Sequence, residues 1–412
     1  MTDIYIVGVG MTRFGRLVEL SVKDMVRQAT EAALNDAGLQ KGAIEAAFFG
    51  NASQGHMEGQ QMIRGEIALR EMGIGRIPVV NIENACASGS SAFTLAVNHL
   101  RAGAGDLALA VGAEKMFSTD RDRMFSVFDS ALDVSRAAEV HADLLRMGDG
   151  VDVPAGSTSP KPYSVFMDVY AAFARAHMKR FGTTQRQVAA VSAKNHRHSV
   201  HNPLSQYRTA YTIEEVLAAP PITYPLTLPM CSPVSDGAAA AIVCTGAALR
   251  RLGLDSSRAV RVLSSVIQTG SDRDHTDIEN HLTVHAARRA YEAAGIGPRD
   301  VSVAEVHDAT AMGEIIQIEN LGFCEFGEGG PISERGETTL GGRLPVNPSG
   351  GLESKGHPVG ATGIAQLHEL VTQLRGEAGP RQVDGARIAV AENGGGLYGV
   401  EEAVACVTIL GR

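Results

Sequence analysis

No stretch of this 412-residue sequence strings together the roughly 20 apolar residues that a membrane-spanning helix needs, so no span is expected. Nor is there a basic leader with an apolar core and a small-residue cleavage site. Met1 leads almost directly into "IYIVGVG", which reads as a strand, and no secretory signal is expected. Positive charge is short: 37 Lys and Arg face 46 Asp and Glu, a formal net charge of −9. That balance argues against nucleic acid or an anionic membrane as the main partner. The two local basic clusters, "HMKRF" (His177–Phe181) and "KNHRH" (Lys194–His198), are read as solvated helix faces. Cysteine is sparse as well. Cys86, Cys231, Cys244, Cys324 and Cys406 are odd in number, scattered and never in CxxC order. They suggest neither a disulfide framework nor a zinc site, and they fit a reducing cytoplasm.

What is present is enough apolar material, 44% of residues against 20% charged, to bury a large core in a compact pair of domains. Periodicity gives strands at residues 4–9, 44–50, 78–82 and 107–111, with helices near 21–37, 60–72 and 87–102 between them. This alternation predicts an α/β fold with a mostly parallel sheet covered by helices. The helix at 87–102 is apolar nearly all round and is expected to be buried. From about 116 to 221 the rhythm breaks into charges, prolines and the Gly/Ser/Pro-rich piece "GDGVDVPAGSTSPKP", read as an inserted loop domain. After a strand in "SDGAAAAIVCT", the alternation restarts, with strands at 260–266, 301–306, 388–391 and 403–410 and helices near 281–294, 311–321 and 360–375. One large duplication is expected, with 1–115 and 222–250 as the first half, 116–221 as the insertion and 251–412 as the second half.

Four segments rich in glycine and small polar residues sit at predicted strand ends, where loops converge in open α/β sheets. They are "ENACASGSS" (83–91), "EVHDATAMGE" (305–314), "NPSGGLESKGHPVGATG" (347–363) and "AENGGGLYG" (391–399). Cys86, at a predicted helix start, is either a packed small hydrophobe or a nucleophile whose pKa the helix and a nearby imidazole lower. The flanking "ASGSS" favours the nucleophile, because it suits close backbone approach more than tight packing. His307 alone reads as a structural histidine. His357, between Gly356 and Pro358 in a glycine-rich loop, has no helix packing to explain it and could take a thiol proton. The run Gly394–Gly396 is either a tight turn or a set of N–H groups aimed at a substrate carbonyl.

Together these segments resemble those of the thiolase superfamily: "NACASGSSA" its nucleophile loop, "NPSGGLESKGHPVGATG" its histidine loop and "ENGGG" its C-terminal glycine loop. "HDAT", in place of an Asn-Glu-Ala-Phe type of motif, with "KNHRHSVHNPLSQYR" and "CSPVSDGAAA", is similar to the sterol-carrier-protein-type and acetyl-CoA acetyltransferase-like branch. The resemblance implies duplicated βαβαβαββ halves in five layers (α-β-α-β-α), and a homodimer or dimer of dimers. It implies an acyl-CoA C-acyltransferase that uses coenzyme A as substrate and product, with no covalently bound cofactor and no metal. It further implies Cys86 as nucleophile and His357 as base. His357 and His307 would form one oxyanion hole, and the N–H groups of Cys86 and Gly394 the other. Ser232 would lie near the pantetheine arm, with Asn393 and Gly395 as further substrate contacts.

The sequence departs from the pattern at Glu392, which stands where many thiolases carry a second cysteine. Glu392 is therefore the candidate second acid/base, provided burial raises its pKa; the alternative is a structural carboxylate bonded to loop N–H groups. The chain reaches Arg412 just past the last predicted strand, so no sterol-carrier domain is expected. Some relatives in this branch act with a small zinc-binding OB-fold partner on branched or aromatic CoA esters. Competing expectations are a retro-aldol lyase on the same fold and a non-catalytic acyl-CoA or lipid binder.

Overall fold

Strand and helix alternate along residues 2–412, which the structure, a computed structural model, describes. The strands of the main sheet are β1 (Ile4–Met11), β2 (Ala46–Gly50), β3 (Val79–Ile82), β4 (Leu107–Glu114) and β5 (Gly237–Thr245) from the first half of the chain. From the second half come β6 (Val260–Thr269), β7 (Val303–Glu305), β8 (Ile388–Gly395) and β9 (Val404–Gly411). The helices that position the site are α1 (Val22–Ala37), α2 (Arg64–Glu71), α3 (Ser88–Arg101), α4 (Val165–Phe181), α5 (Gln185–Ser199), α6 (Leu282–Ala294), α7 (Ala311–Asn320), α8 (Gly351–Lys355) and α9 (Thr362–Arg375). Local chemistry sets their ends. Ser21 and Asp24 form a reciprocal capping box at the start of α1, and Gly38 closes it in the left-handed region at φ 65°.

The strand order is β3-β2-β4-β5-β1-β6-β9-β8-β7. The first half reads 3-2-4-5-1 from its edge, and the second repeats it as 7-8-9-6, with β7 standing for β2, β8 for β4, β9 for β5 and β6 for β1. The halves meet where β1 pairs with β6 at only Tyr5↔Arg261 and Ile6↔Val260. The expectation of a mostly parallel sheet is corrected here. Only β2–β3, β2–β4 and β7–β8 are parallel, and every other pairing is antiparallel. Strand–helix alternation forces parallel neighbours, but β9 follows β8 through a short loop and β5 returns after the long segment 115–236, so both run back against their neighbours.

Three apolar cores separate the layers. One joins α1 and α2 to the outer face of the first half. A central core is shared by both halves with α3 and α9 sandwiched between them. A third lies where α6 and α7 cover the second half. This is the five-layer α-β-α-β-α arrangement, and α3 is buried along most of its length, as its all-round apolar surface requires. The segment 116–221 carries mainly helices, of which α4 and α5 pack on α7. The "KNHRH" cluster on α5 is not a solvated face. Lys194, Asn195, His196 and His198 are all buried, because α5 is covered by α7, α8 and the loop before α8 and its polar groups are consumed there. No helix among the described residues is long and apolar enough to cross a membrane.

Candidate active site

A cavity of ≈ 1100 Å³ opens at the carboxyl ends of the central strands, and Cys86, Ser232, His307, His357 and Gly395 all line it. Three of the four glycine-rich segments converge on one point: Cys86 Sγ and ring nitrogens of His307 and His357 lie within 4.8 Å of one another.

Cys86 precedes α3 by two residues. Ala85, just before it, is held at φ 47°, a left-handed conformation that costs a non-glycine residue strain. Ser88 maintains the turn, its hydroxyl accepting from the Asn84 N–H (2.9 Å) and donating to the Ala85 carbonyl (2.7 Å). The small residues after Cys86 are tightly packed, contrary to the expectation of looseness. Ser88, Ser90 and Ser91 are buried, with Ser90 donating to Asn393 Oδ1 (2.9 Å) and Ser91 accepting from Asn84 Nδ2 (2.9 Å). Their size lets other backbones come close, and Gly395 serves the same end: a Cβ there would stand 2.2 Å from the Asn84 carbonyl oxygen. The expected lowering of the thiol pKa is also corrected. Burial, with Glu114 nearby, pushes Cys86 up to about 12, so the resting group is a neutral thiol that needs a base.

That base is presented by the loop after α8. His357 Nε2 lies 3.3 Å from Cys86 Sγ, and its Nδ1 lies 2.7 Å from Thr362 Oγ1. Thr362 gives its one hydroxyl proton to the Pro358 carbonyl (3.1 Å), so it accepts from His357, which puts the imidazole proton on Nδ1. Nε2 is left as a lone pair facing the thiol. Burial, then His307 beside it, hold His357 well below its ordinary pKa and therefore neutral.

His307 carries the opposite tautomer. Its Nδ1 accepts the Gly394 N–H (3.0 Å), so the proton sits on Nε2, a buried atom with no partner among the described residues. Burial lowers His307 to about 4. A neutral N–H donor thus faces the cavity beside the thiol, as an oxyanion donor must. This corrects the role expected of Gly394: its N–H is already committed to His307, so it fixes the tautomer of an oxyanion donor and is not one itself. The same bond works against metal ligation by the cluster, since a neutral His307 that coordinated through Nε2 would carry its proton on Nδ1, against the Gly394 N–H.

Glu392 is not brought to the cavity. On β8 it shares the face of Ile388 and Val390, which pack in the outer core, whereas Ala389 and Ala391 face the central one. Its Oε2 accepts the His307 backbone N–H (2.9 Å), and burial raises it to about 8. It is a neutral carboxyl at neutral pH that anchors the His307 backbone, and the expectation of an acid/base at the α-carbon is corrected accordingly. Asn393 is likewise behind the cavity wall, on Ser90. Among the acids that line the cavity are two buried ones to which the sequence reading gave no role, Glu353 and Glu402. Glu402 accepts a hydrogen bond from Gln317 Nε2 (3.0 Å) and faces His281 Nε2 (3.3 Å), and the His281 bond and charge hold it down to about 2 against burial. Neither stands out by spacing; only "GLYGVEE", an unusually acidic loop beside the glycine run, signals Glu402.

The chain matches known proteins over most of its length. Residues 4–213 match the family described as Thiolase, N-terminal domain, and residues 264–412 match Thiolase C-terminal domain-like. An acetyl-CoA acetyltransferase of Methanothermobacter thermautotrophicus is 39% identical over 97% of this chain and 98% of its own. Human sterol carrier protein 2 is 37% identical, over 95% of this chain and 69% of its own. Among solved structures, the Ltp2-ChsH2(DUF35) aldolase superimposes with a TM-score of 0.78 at 22% identity, over 100% of this chain and 98% of that one.

Proposed function

The chain belongs to the thiolase family, and from that premise we propose that it is an acyl-CoA C-acyltransferase working through an acyl-cysteine on Cys86. The observation that carries this reading is the contact of Cys86 Sγ with the lone-pair nitrogen of His357 at 3.3 Å. In the cleavage direction, His357 Nε2 takes the thiol proton as Sγ attacks C3 of a 3-oxoacyl-CoA. The developing oxyanion receives the His307 Nε2–H. Collapse breaks C2–C3 and leaves an acyl-thioester on Cys86 and the enolate of the departing CoA ester, which takes the proton back from the His357 imidazolium. CoA then enters, gives its thiol proton to His357 and attacks the acyl-thioester; collapse expels the Cys86 thiolate, which takes that proton back from His357, and acyl-CoA departs. Condensation is the reverse. One base balances every proton, which suits a cavity from which Glu392 is absent. CoA comes and goes as substrate and product, and the chemistry calls for no further cofactor.

Intact-mass measurement of the protein mixed with acyl-CoA tests this directly. The acyl adduct is expected on the wild type and lost in Cys86→Ala; a wild type without an adduct that still cleaves its substrate overturns the reading.

A second reading, retro-aldol cleavage of a 3-hydroxyacyl-CoA, is favoured by one feature: the lone-pair Nε2 of His357 stands in the cavity wall and can take a hydroxyl proton without any acyl-cysteine. It is the alternative that the absent adduct would select. A non-catalytic acyl-CoA binder is disfavoured by the joint presence of Cys86, His307 and His357, and measurable CoA-dependent thiolysis would exclude it. The reading includes a cytoplasmic protein, from its scattered free cysteines, and a homodimer or dimer of dimers. The edge strand β3 exposes Val80 and Asn81, and Met62 and Ile63 just before α2 are exposed too, an apolar rim that a second copy can cover. It also includes a small partner subunit acting on branched or aromatic CoA esters. Support comes from a relative named as a benzoylsuccinyl-CoA thiolase subunit and from the fold likeness to the structure titled Ltp2-ChsH2(DUF35) aldolase.

A further inference from the structure

Beneath the two histidine loops lies a group of carboxylates that the acyl-transfer steps leave unused. Asn195 Nδ2, with two hydrogens to give, is 3.1 Å from Asp308 Oδ2, 3.0 Å from Glu314 Oε2 and 2.9 Å from Glu353 Oε1. All four residues are fully buried. The nearby cation, Lys194, bonds to Glu314 and to the Val346 carbonyl (2.9 Å). Three negative charges around one lysine, shut away from water, are far costlier than carboxyls that keep protons.

The hydrogen-bond pattern decides which carboxyl keeps one facing outward. Glu314 receives Lys194 and the Asn347 amide (2.7 Å). Asp308 is also raised well above the ordinary carboxylate range by burial and by Glu353 and Glu314, but it is surrounded by the N–H groups of Leu352 (2.8 Å) and Glu353 (3.3 Å) and Asn195 Nδ2 (3.1 Å) and does not reach the cavity. Glu353 Oε2 receives nothing: it is buried and unpartnered among the described residues, and the neighbouring Ser192 hydroxyl gives its proton to the Pro229 carbonyl (2.8 Å). Burial and Glu314 hold Glu353 up to about 8. Unlike Asp308 and Glu314, Glu353 lines the cavity. It does so beside Cys231 and Ser232, a loop tied down by the Ser232 N–H to the Ala309 carbonyl (3.0 Å).

We propose that Glu353 presents a neutral carboxylic acid to the cavity and donates a hydrogen bond to an uncharged oxygen of the CoA thioester. That oxygen is either a pantetheine amide carbonyl or an oxygen borne on the acyl chain; both offer the same acceptor chemistry. Burial and the neighbouring Glu314 keep the acid protonated against Asn195 and Lys194, which favour its ionised form, and Glu353 is a substrate-recognising residue. This rests on the acyl-CoA reading above.

The test is steady-state kinetics of the full chain with acetoacetyl-CoA and with a 3-oxoacyl-CoA that carries an additional hydroxyl on its chain. Glu353→Leu is expected to raise KM about tenfold, the worth of one hydrogen bond to an otherwise unpaired group, while kcat stays nearly constant. Glu353→Gln, which keeps an N–H donor, is expected to recover most of that loss. A loss on both substrates assigns the oxygen to pantetheine, and a loss on the hydroxylated chain alone assigns it to the acyl group. Unchanged KM on both substrates in Glu353→Leu overturns the proposal, as does a Gln variant as impaired as the Leu variant. Infrared difference spectra of the wild type are independent of how the variants fold. A neutral-carboxyl C=O band that moves when a CoA thioester binds is expected, and its absence overturns the proposal. Acyl adduct on Cys86 in Glu353→Leu shows that the acyl-transfer reading stands whatever becomes of Glu353; a wild type without adduct counts against that reading instead.

Discussion

The loop that carries His307 and the loop that carries His357 bring the same side chain to the same thiol, with ring centroids 5.3 Å apart, yet they give it opposite protonation. His307 Nδ1 meets a donor, the Gly394 N–H, and its proton is driven to Nε2. His357 Nδ1 meets an acceptor, the Thr362 hydroxyl, and its lone pair is driven to Nε2. The cavity therefore sees one N–H and one base. The lesson is that the role of each histidine is set on the ring edge facing away from the substrate.

This contrast can be broken from either side. His357→Ala removes the base while the thiol stays neutral near pKa 12, and the largest loss is expected there, about 10³–10⁴-fold in kcat. Formation of the Cys86 adduct should slow in step, which rapid-quench mass measurements would follow. His307→Ala removes the oxyanion donor but leaves the base, and about 10²–10³-fold in kcat is expected, with KM nearly unchanged. If the two losses prove equal and each is as large as that of the double variant, the residues act as one unit and the division of labour fails. Thr362→Val is the finest probe. It leaves the His357 Nδ1–H without its acceptor and frees the ring to take the other tautomer, so a kcat lower by about tenfold is expected, with a KM close to wild type. An unchanged kcat would show that Thr362 does not set the tautomer.

Much of the frame was legible in the sequence, because it is local. Ser21, Asp24 and Gly38 punctuate α1, and the all-round apolar surface of α3 required a buried helix. That the alternation restarts in a second half could be read from periodicity alone. Parallel and antiparallel neighbours could not be told apart, since the direction of β5 depends on where the chain returns after residue 236. Among the site residues, Cys86 and His357 could be picked out because their residue types are unusual in glycine-rich strand ends, whereas His307 and Ser232 were reached only through the resemblance to thiolases. Thr362, Glu353 and Glu402 could not: a threonine opening a helix and glutamates in polar loops are ordinary until their neighbours are known. Glu392 misled for the complementary reason, because its place in the motif was clear but the face of β8 on which it stands was not.

By itself, then, the sequence determined the elements, their duplication and the inventory of reactive groups, all of which follow from steric preferences and apolar periodicity over a few neighbouring residues. Only the tertiary structure decided what those groups are: a neutral thiol raised by burial, one imidazole that donates and one that accepts, and a buried acid that kept its proton. Cys86 and His357 are 271 residues apart in the chain. Protonation depends on desolvation and hydrogen-bond partners, and these exist only once such distant segments close on one another.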